Sequence, residues 1–583
     1  MKALWPIFRH FLKYRTRLLA GLVSIPLAQA ADVAITVSIG NAIERARTAT
    51  DTAWLTKVLW WLALYAVVRA VFRFYQRWWI VVVSRQVEVD LKQQTFDKLT
   101  SLSFDFHNQN RTGDVVSRLT SDVENVRMFL GPGLMYTAGA VVMVPISLGV
   151  MFHLNAMVTS AMVVPLLGVG WVMKKLTPRI HHYSMEVQES LADISHCAQE
   201  NFAGVRVVQA AGIEAPQARR FAAVSEKNRD NQIKMGEARG MTHAAVNLAF
   251  DLTFVVILIT GGLAAIDRTL EIGGLFKFLD LTIKVFWPLI ALGWIAGMYA
   301  RAVASAERLQ ELMAEVPSIQ TPENARFSEP VRGAIDFDGI SFRYGPEAPF
   351  VLQDIRVKVP AGKTLGVVGP TGAGKSTLLS LVGRLFDADG TVRVDDIPLR
   401  DWDLDHLRTS LGYVPQDSFL FSAPYEDNIR FGADGELSDE QIHTLVRRAA
   451  MEEEVRSFPD GYKQRVGERG VTLSGGQRQR TCIARALAKD PRILILDDCL
   501  SAVDTETEKT LLKELRQAGE SRTVLVAAHR LSSVVAADQI LVLDENGHQA
   551  DLGTHAELVA RPGWYRETWQ RQQRRAHLLE DRV

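Results

Sequence analysis

The stretch from Met128 to Met173 contains no Lys, Arg, Asp or Glu over 46 residues. One helix crossing a bilayer core of roughly 30 Å needs about 20 apolar residues, so this stretch is long enough for two crossings. The sequence His153-Leu154-Asn155 interrupts it near the middle and marks the turn between them. This part of the chain is therefore expected to fold as a helical hairpin in a membrane.

Further apolar segments lie on both sides of this hairpin, which gives six predicted spans. They cover approximately residues 18–43, 54–83, 131–152, 155–176, 241–266 and 275–300. The linkers after spans one, three and five are short, whereas those after spans two and four are long and polar. We therefore expect an α-helical transmembrane domain over residues 1–315, with helices that extend well beyond the membrane on one side.

Charge predicts the orientation of the spans. The first 17 residues carry five basic side chains and no acidic one, which favours a cytoplasmic N-terminus. Six crossings then return the C-terminal half to the cytoplasm. A cleaved signal peptide is the alternative, since Ala28-Gln29-Ala30 imitates a cleavage site, but the apolar segment continues past it to Ile39.

Several charged residues fall inside the predicted spans, where each is costly. They are Asp32, Arg69, Arg73, Arg77, Asp251, Asp280 and Lys284. One interpretation is a polar transport cavity. The other is structural, because Asp280 and Lys284 are spaced to pair on one helix face and Arg73 and Arg77 can lie where the helix leaves the membrane. Both signs occur, so the sequence does not identify the charge of a cargo.

Overall composition excludes several classes of protein. With 66 basic and 66 acidic residues the net charge is zero, which gives no electrostatic support for nucleic-acid binding. Cys197, Cys482 and Cys499 have no metal-ligand spacing and form no disulfide framework. A length of 583 residues favours at least two folding units. The proline-punctuated stretch 316–330 is interpreted as a linker, followed by a soluble domain over 331–583.

The soluble half contains a phosphate-binding motif. A strand-like run over 363–368 leads into the pattern G-x-x-x-x-G-K-[ST] and then into an apolar helix, which is the context this motif requires. Backbone N–H groups of such a loop face phosphates, with Lys375 on the β- and γ-phosphates and the Ser376 hydroxyl on Mg²⁺. The predicted nucleotide contacts in the loop are Gly369, Pro370, Thr371, Gly372, Ala373, Gly374, Lys375, Ser376 and Thr377.

A second strand, over residues 492–496, ends in Asp497 and Asp498. A carboxylate at the end of a buried strand can reach a metal bound beside the phosphate loop. Asp497 is therefore the second candidate ligand for Mg²⁺.

The chain here resembles the ATP-binding-cassette (ABC) transporters. The segment Leu473-Ser-Gly-Gly-Gln477 is similar to the family signature, and other family motifs occur around it in the same order. Six spans ahead of one such cassette resemble an exporter half-transporter, which implies a fold of six transmembrane helices followed by an α/β P-loop NTPase domain. Arg111-Thr-Gly-Asp-Val-Val-Ser-Arg118 resembles the family's cytoplasmic coupling region.

This resemblance implies roles for further residues. Tyr344 corresponds to the aromatic that stacks on adenine, Gln416 to a glutamine that contacts ATP and Mg²⁺, and His529 to the switch histidine. The D-loop corresponds to Ser501, Ala502, Val503 and Asp504. Leu473, Ser474, Gly475, Gly476 and Gln477 are expected to complete the ATP site of a partner subunit, because the family pairs two cassettes head to tail.

One position departs from the family pattern. The residue after the metal-binding Asp is usually Glu, which activates the attacking water, whereas this chain has Asp498. Its carboxylate is one methylene shorter, and a misplacement of about 1 Å can cost roughly 100-fold in rate. With Gln416 and His529 as the other predicted catalytic residues, the site is expected to bind ATP and Mg²⁺ but to hydrolyse slowly.

The resemblance therefore predicts an ATP-driven exporter of drugs, lipids or other amphipathic compounds, located in the cell's inner (plasma) membrane. A heterodimer with a second half-transporter is favoured by Asp498. A homodimer that uses Asp498 as its base, and an ATP-binding subunit that regulates a partner, remain alternatives. Membrane lipid and an amphipathic small molecule are the other expected partners, and nucleic acid is not expected.

Overall fold

The structure is a computed structural model that describes residues 4–49, 51–327, 329–433, 435–500, 503, 507–508, 510–511, 514 and 522–580. The chain divides into two compact units. The first unit consists of Met1–Thr100 and Thr112–Glu315, and the second consists of Ser101–Arg111 and Val316–Val583.

The first unit is entirely helical in its described part. Its α-helices are α1 (Trp5–Leu12), α2 (Arg15–Thr48), α3 (Ala53–Ser101), α5 (Thr112–Ser117), α6 (Val123–Met128), α7 (Leu134–Leu154), α8 (Ala156–Ala203), α9 (Val205–Ala211), α10 (Glu214–Ile266) and α11 (Ile272–Ala314), with α4 (Phe104–Gln109) belonging to the second unit. Six helical stretches among the described residues are long and apolar enough to cross a membrane. The prediction of six spans is therefore confirmed.

The helices also continue well past the predicted spans. The stretches that carry the spans are 34 to 53 residues long, against about 20 needed for a crossing. The hairpin turn lies where the sequence indicated it, because α7 ends at Leu154 and the Asn155 side chain accepts a hydrogen bond from the Val158 N–H to cap α8.

The third stretch is not a uniform α-helix. Residues Phe129–Gly133, which include Pro132, form a π-helical turn before α7. Pro132 has no N–H to donate, which favours an irregular turn. A Cβ on Gly131 would lie only 2.6 Å from the Cβ of Ser84, so glycine permits a close approach of α3 at this turn.

The second unit is built on two sheets. Its strands are β1 (Ile335–Phe342), β2 (Leu352–Val359), β3 (Thr364–Val368), β4 (Asp389–Val394), β5 (Ile397–Pro398), β6 (Leu411–Val414), β7 (Ile493–Asp497), β8 (Thr523–Ala527), β9 (Gln539–Leu543) and β10 (Gln549–Gly553). The smaller sheet is antiparallel with order β2-β1-β4-β5, and the larger has order β10-β9-β3-β8-β7-β6. All neighbours in the larger sheet are parallel except β10 with β9.

Helices accompany these sheets in the second unit. They are α12 (Lys375–Val382), α13 (Leu404–Thr409), α14 (Tyr425–Arg430), α15 (Asp439–Arg448), α16 (Glu452–Ser457), α17 (Gly475–Ala488), α18 (His555–Ala560) and α19 (Trp564–Glu580). Along β7, Ile493 and Ile495 belong to one apolar core and Leu494 and Leu496 to the other. This alternation is typical of a parallel strand covered on both faces, and it explains the uninterrupted apolar run before Asp497.

The division of the chain differs from the predicted one at one segment. The sequence predicts one transmembrane domain over residues 1–315, whereas Ser101–Arg111 packs with the second unit. The Phe104 ring meets the Phe386 ring edge to face at 5.7 Å, and the Ser103 hydroxyl accepts a hydrogen bond from the Ile319 N–H. The half-exposed Phe104 ring is thus attached to the second unit by its contact with the buried Phe386, and the hydrogen bond from the Ile319 backbone N–H adds to it.

Candidate nucleotide-binding site

The phosphate-binding loop connects β3 to α12 at the carboxyl edge of the larger sheet. Gly372 and Gly374 have φ angles of +88° and +86°, a region that L-residues rarely adopt. A Cβ on Gly374 would also lie 2.8 Å from the Val351 carbonyl oxygen. The glycines are therefore required by the backbone path that turns the loop's N–H groups toward a phosphate.

Lys375 begins α12 and is buried. Its Nζ donates hydrogen bonds to the carbonyl oxygens of Gly369 and Pro370 at 3.0 and 2.9 Å. Burial lowers the pKa of Lys375, and the carboxylates of Asp498 and Asp497 oppose this shift. A buried ammonium group at a helix N-terminus, held by two carbonyls of the same loop, is well placed to bind phosphate oxygens.

Ser376 and Asp497, the two residues predicted to bind Mg²⁺ beside the phosphate loop, are in direct contact. The Ser376 hydroxyl donates a hydrogen bond to Asp497 Oδ1 at 2.8 Å, although the two residues lie on different elements. Burial raises the pKa of Asp497, while the hydrogen bond from Ser376 opposes that shift. Mg²⁺ takes oxygen ligands and usually completes its shell with substrate phosphates and water, so this hydroxyl and carboxylate beside the phosphate loop fit it.

Gln416 and His529 lie at the same edge of the sheet. Gln416 follows β6, whose last residue pairs with Leu496 on β7, and His529 follows β8, whose last residue pairs with Asp497. Both residues are exposed. The parallel order of the strands thus gathers these loops around the phosphate loop, as expected for strand ends that share one edge.

The Tyr344 side chain stands beside the loop, where an adenine-stacking residue is expected. Its hydroxyl shares a 2.8 Å hydrogen bond with the Thr377 hydroxyl, and its ring contacts Phe342 and Phe386 edge to face. About half of the residue remains exposed. Two edge contacts and a hydrogen bond fix the ring orientation and leave surface for stacking.

Asp498 directly follows β7 and adopts a φ angle of +42°. Its backbone N–H donates to the Ala527 carbonyl at 3.0 Å, and its own carbonyl accepts from the Gln479 side chain at 3.5 Å. Asp and Asn adopt positive φ more readily than most other residues. Hydrogen bonds to its N–H and its carbonyl therefore hold the Asp498 backbone in place. How far the carboxylate extends from that backbone is then determined by the length of the side chain.

The signature segment forms the start of α17. Ser474 is the N-cap, its hydroxyl accepting from the Gln477 N–H at 3.2 Å while the Gln477 side chain accepts from the Ser474 N–H at 2.9 Å. This reciprocal capping box gives Gln477 a structural role that the sequence analysis missed, although the S-x-x-Q spacing was visible. Leu473 is buried and anchors the turn, whereas Ser474 is exposed at the helix N-terminus.

Not every predicted residue can be located. In the predicted D-loop, Ser501, Ala502 and Asp504 lie outside the described residues, and Val503 is buried. Gln572 on α19 is a further residue of the site, which no sequence pattern predicts. Its side chain donates to the His529 carbonyl and accepts from the Leu531 N–H. No local motif marks such a residue, because its partners are about 40 positions away.

In the membrane unit, several predicted intramembrane charges form one cluster. Lys284 lies 3.1 Å from Asp32 and 3.2 Å from Asp280, and Arg69 lies 2.9 Å from Asp32. Lys284 also donates to the hydroxyl of Thr36, which in turn bonds Asp280. The expected pairing of Asp280 with Lys284 is thus observed within a larger network, and the exposed Asp251 takes no part in it.

Comparison with known proteins agrees with this geometry. Residues 18–289 match the family described as ABC transporter transmembrane region, and residues 352–501 match the family described as ABC transporter. The chain is 33% identical to the multidrug resistance-like ATP-binding protein MdlA of Escherichia coli, over 90% of this chain and 89% of that protein. The chain belongs to the ABC transporter family.

Two further similarities define its architecture. The transporter is 31% identical to the ATP-dependent lipid A-core flippase of Shewanella denitrificans, over 86% of this chain and 84% of that protein. A solved bacterial Atm1-family ABC exporter with ATP bound matches with a TM-score of 0.80 and 26% identity, over 96% of this chain and 98% of that one. The transporter thus has the exporter fold, with six membrane helices ahead of one ATP-binding domain.

Proposed function

We propose that this transporter is one subunit of a dimeric exporter that uses ATP to move drugs, lipids or other amphipathic compounds out through the inner (plasma) membrane. The observation that carries the proposal is the phosphate loop with Ser376 2.8 Å from Asp497, on the same chain as six membrane-length helices. The similarity to a multidrug resistance-like protein and to a lipid A-core flippase supports the amphipathic cargo class.

Each residue of the site has a defined task in this proposal. Lys375 and the loop N–H groups bind the phosphates, Tyr344 stacks on the base, and Ser376, Asp497 and Gln416 hold Mg²⁺. Mg²⁺ held by these residues would supply positive charge that stabilises the phosphate oxygens. His529 and Asp498, which follow β8 and β7, are the residues assigned to orient the attacking water.

Dimerisation is part of the proposal because one cassette supplies only half of each site. Ser474, Gly475 and Gly476 lie at the N-terminus of a 14-residue helix, which attracts anions, and Ser474 is exposed. This helix end serves the ATP held by a partner's phosphate loop. The basic N-terminal segment supports a cytoplasmic N-terminus, and six crossings then put the nucleotide-binding unit on the same side in this proposal.

The test of export uses inside-out vesicles that contain the full transporter and a fluorescent amphiphile. ATP is expected to drive accumulation of the amphiphile, and Lys375→Ala is expected to abolish it. Lys358→Ala is the matched control, because Lys358 is exposed on β2 and away from the phosphate loop. Accumulation that persists in Lys375→Ala vesicles would contradict ATP-driven export by this chain.

The finer part of the proposal is a heterodimer in which the ATP site of this chain turns over slowly. Its support is Asp498, whose shortened side chain stands on a backbone that is hydrogen-bonded on both sides. In the purified chain alone, Asp498→Glu is expected to raise ATP turnover by about 10- to 100-fold, because the carboxylate regains its reach. Affinity purification from native membranes is expected to recover a second half-transporter in equal amount.

The homodimer alternative predicts the opposite pattern. In that case the purified chain hydrolyses ATP rapidly by itself, Asp498→Asn abolishes the activity and Asp498→Glu brings no gain. Asn is a clean probe here because it tolerates the φ angle of +42° and removes only the charge.

A further inference from the structure

The membrane unit contains a cavity of about 940 Å³, which is of the size that accommodates a drug-sized molecule. It lies between α2, α3, α7 and α11. Four basic side chains line it, namely Arg69, Arg73, Arg77 and Lys284, against a single carboxylate, Asp32. The cavity lining therefore has a formal excess of positive charge.

The carboxylate in this cavity is already engaged. Asp32 pairs with both Arg69 and Lys284, and Lys284 pairs in addition with Asp280. These contacts also use the Asp32 backbone carbonyl, which accepts from Lys284 at 2.8 Å. The network pairs Arg69 and Lys284 internally, and each of its two carboxylates already faces at least one cation.

Arg73 and Arg77 are the remaining cations of the cavity. Among the described residues, no carboxylate lies within 4.0 Å of either guanidinium group. They are spaced four residues apart on α3, so they share one face at about 6 Å along the helix axis. Unpaired arginines inside a membrane span are costly, and the described residues supply no anion to these two.

Aromatic surface lies beside these cations. Tyr136 and Trp294 pack edge to face at 5.6 Å and both line the cavity. Phe74 and Trp287 also line it, and Trp287 is 72% exposed in this chain. The cavity thus offers two guanidinium groups for an anionic head and a set of aromatic faces for an apolar body.

We propose that the cargo class of this transporter is the amphipathic organic anion, with Arg73 and Arg77 as the residues that bind the anionic group. This inference rests on the proposed export function and narrows its cargo class. A carboxylate or phosphate serves equally as the head, because guanidinium groups bind both in the same paired geometry.

Binding without ATP tests this proposal separately from export. The full transporter is placed in nanodiscs of phosphatidylcholine, and three fluorescent probes with one apolar body are titrated: pyrenebutanoate, pyrenebutanol and pyrenebutyl-trimethylammonium. Pyrenebutanoate is expected to bind at least about tenfold more tightly than the other two, the size of a charge-assisted hydrogen-bond contribution. Equal affinity for the three probes overturns the proposal, whether or not ATP-driven export is observed.

Substitutions test whether Arg73 and Arg77 cause the preference for pyrenebutanoate. Arg73→Gln combined with Arg77→Gln is expected to remove the preference for pyrenebutanoate, whereas Arg73→Lys combined with Arg77→Lys is expected to retain most of it. Lys57→Gln is the matched control, since Lys57 is exposed on the same helix and does not line the cavity. If pyrenebutanoate affinity is unchanged when Arg73→Gln and Arg77→Gln are combined, these two residues do not bind the anionic group.

Two further binding measurements distinguish an amphipathic cargo from inorganic phosphate and from an anionic lipid headgroup. Inorganic phosphate is expected not to displace pyrenebutanoate, because it has no apolar body to contact the aromatic residues. Adding phosphatidylglycerol to the nanodiscs is expected to leave the preference in place. Loss of the preference on adding phosphatidylglycerol would mean that the two arginines bind a membrane headgroup instead of a cargo, which overturns the proposal.

Discussion

The side chain of Gln572 bridges the loop that carries His529. Its amide donates a hydrogen bond to the His529 carbonyl at 3.0 Å, and its own carbonyl accepts from the Leu531 N–H at 3.0 Å. Gln572 lies on α19, far along the chain from β8, so the C-terminal helix fixes the backbone of the predicted switch residue.

We expect Gln572→Ala to lower the maximal ATPase rate about tenfold while the KM for ATP stays within about twofold. The reason is positional, since small displacements of a catalytic group reduce rate more than binding. Gln573→Ala is the control, because Gln573 is the exposed neighbour on the same helix. A fall in melting temperature without a change in maximal rate would assign Gln572 a structural role only.

Removing the Ser376 hydroxyl is expected to weaken Mg²⁺ binding. Ser376→Ala takes away the group that lies 2.8 Å from Asp497, so the Mg²⁺ concentration for half-maximal ATPase activity is expected to rise about tenfold. Titration of ATPase activity with Mg²⁺ measures this.

Ser380→Ala is the matched control for that change. Ser380 lies one turn further along α12, and its hydroxyl donates a hydrogen bond to the Thr377 carbonyl. We expect an unaltered Mg²⁺ dependence for Ser380→Ala. If both variants require more Mg²⁺, the effect comes from the helix and not from a metal ligand.

The capping box at Ser474 can be compared with a second capping box of the same residue types, which separates an effect on stability from an effect on ATP turnover. Ser438 and Gln441 form the same reciprocal hydrogen bonds at the start of α15. Ser474→Ala and Ser438→Ala are both expected to reduce the free energy of unfolding by about 0.5–2 kcal/mol. Only Ser474→Ala is expected to reduce ATP turnover in the assembled dimer.

Gln477→Glu refines this prediction, because Glu also completes a capping box. We expect it to keep both stability and turnover close to those of the unaltered protein. Equal losses of turnover in Ser474→Ala and Ser438→Ala would show that the signature segment acts through stability alone.

The contact between Phe104 and Phe386 predicts an effect on coupling. Phe104 lies at the start of α4, directly after the long helix α3, and Phe386 also contacts Tyr344. We expect Phe104→Ala to remove most of the stimulation of ATPase activity by cargo while basal turnover is retained. An edge-to-face pair contributes about 0.5–1.5 kcal/mol, enough to shift an equilibrium between two conformations by roughly 2- to 13-fold.

Phe106→Ala serves as the control for Phe104, since the Phe106 ring contacts only the neighbouring His107 ring among the aromatic pairs of the described residues. Cargo stimulation of ATPase activity is measured for both variants in proteoliposomes. If stimulation survives in Phe104→Ala, the aromatic contact does not transmit the signal.

Much of the nucleotide site was predictable because its motifs are local. The glycine pattern of the phosphate loop determines a backbone path by itself, and the strand before Asp497 is marked by an uninterrupted apolar run. The position of Ser101–Arg111 was not predictable in this way. Its place beside the second unit depends on ring packing between Phe104 and Phe386, which are 282 positions apart.

The sequence by itself determined six membrane helices and a phosphate-binding loop, since apolar length and glycine spacing act within a few turns of chain. Only the tertiary structure decided which intramembrane charges neutralise one another. Asp32 meets Arg69 and Lys284 across sequence separations of 37 and 252 residues, and this pairing follows from how the helices pack. The same packing leaves Arg73 and Arg77 without a carboxylate in the described part of the chain, which gives the cavity its excess of positive charge.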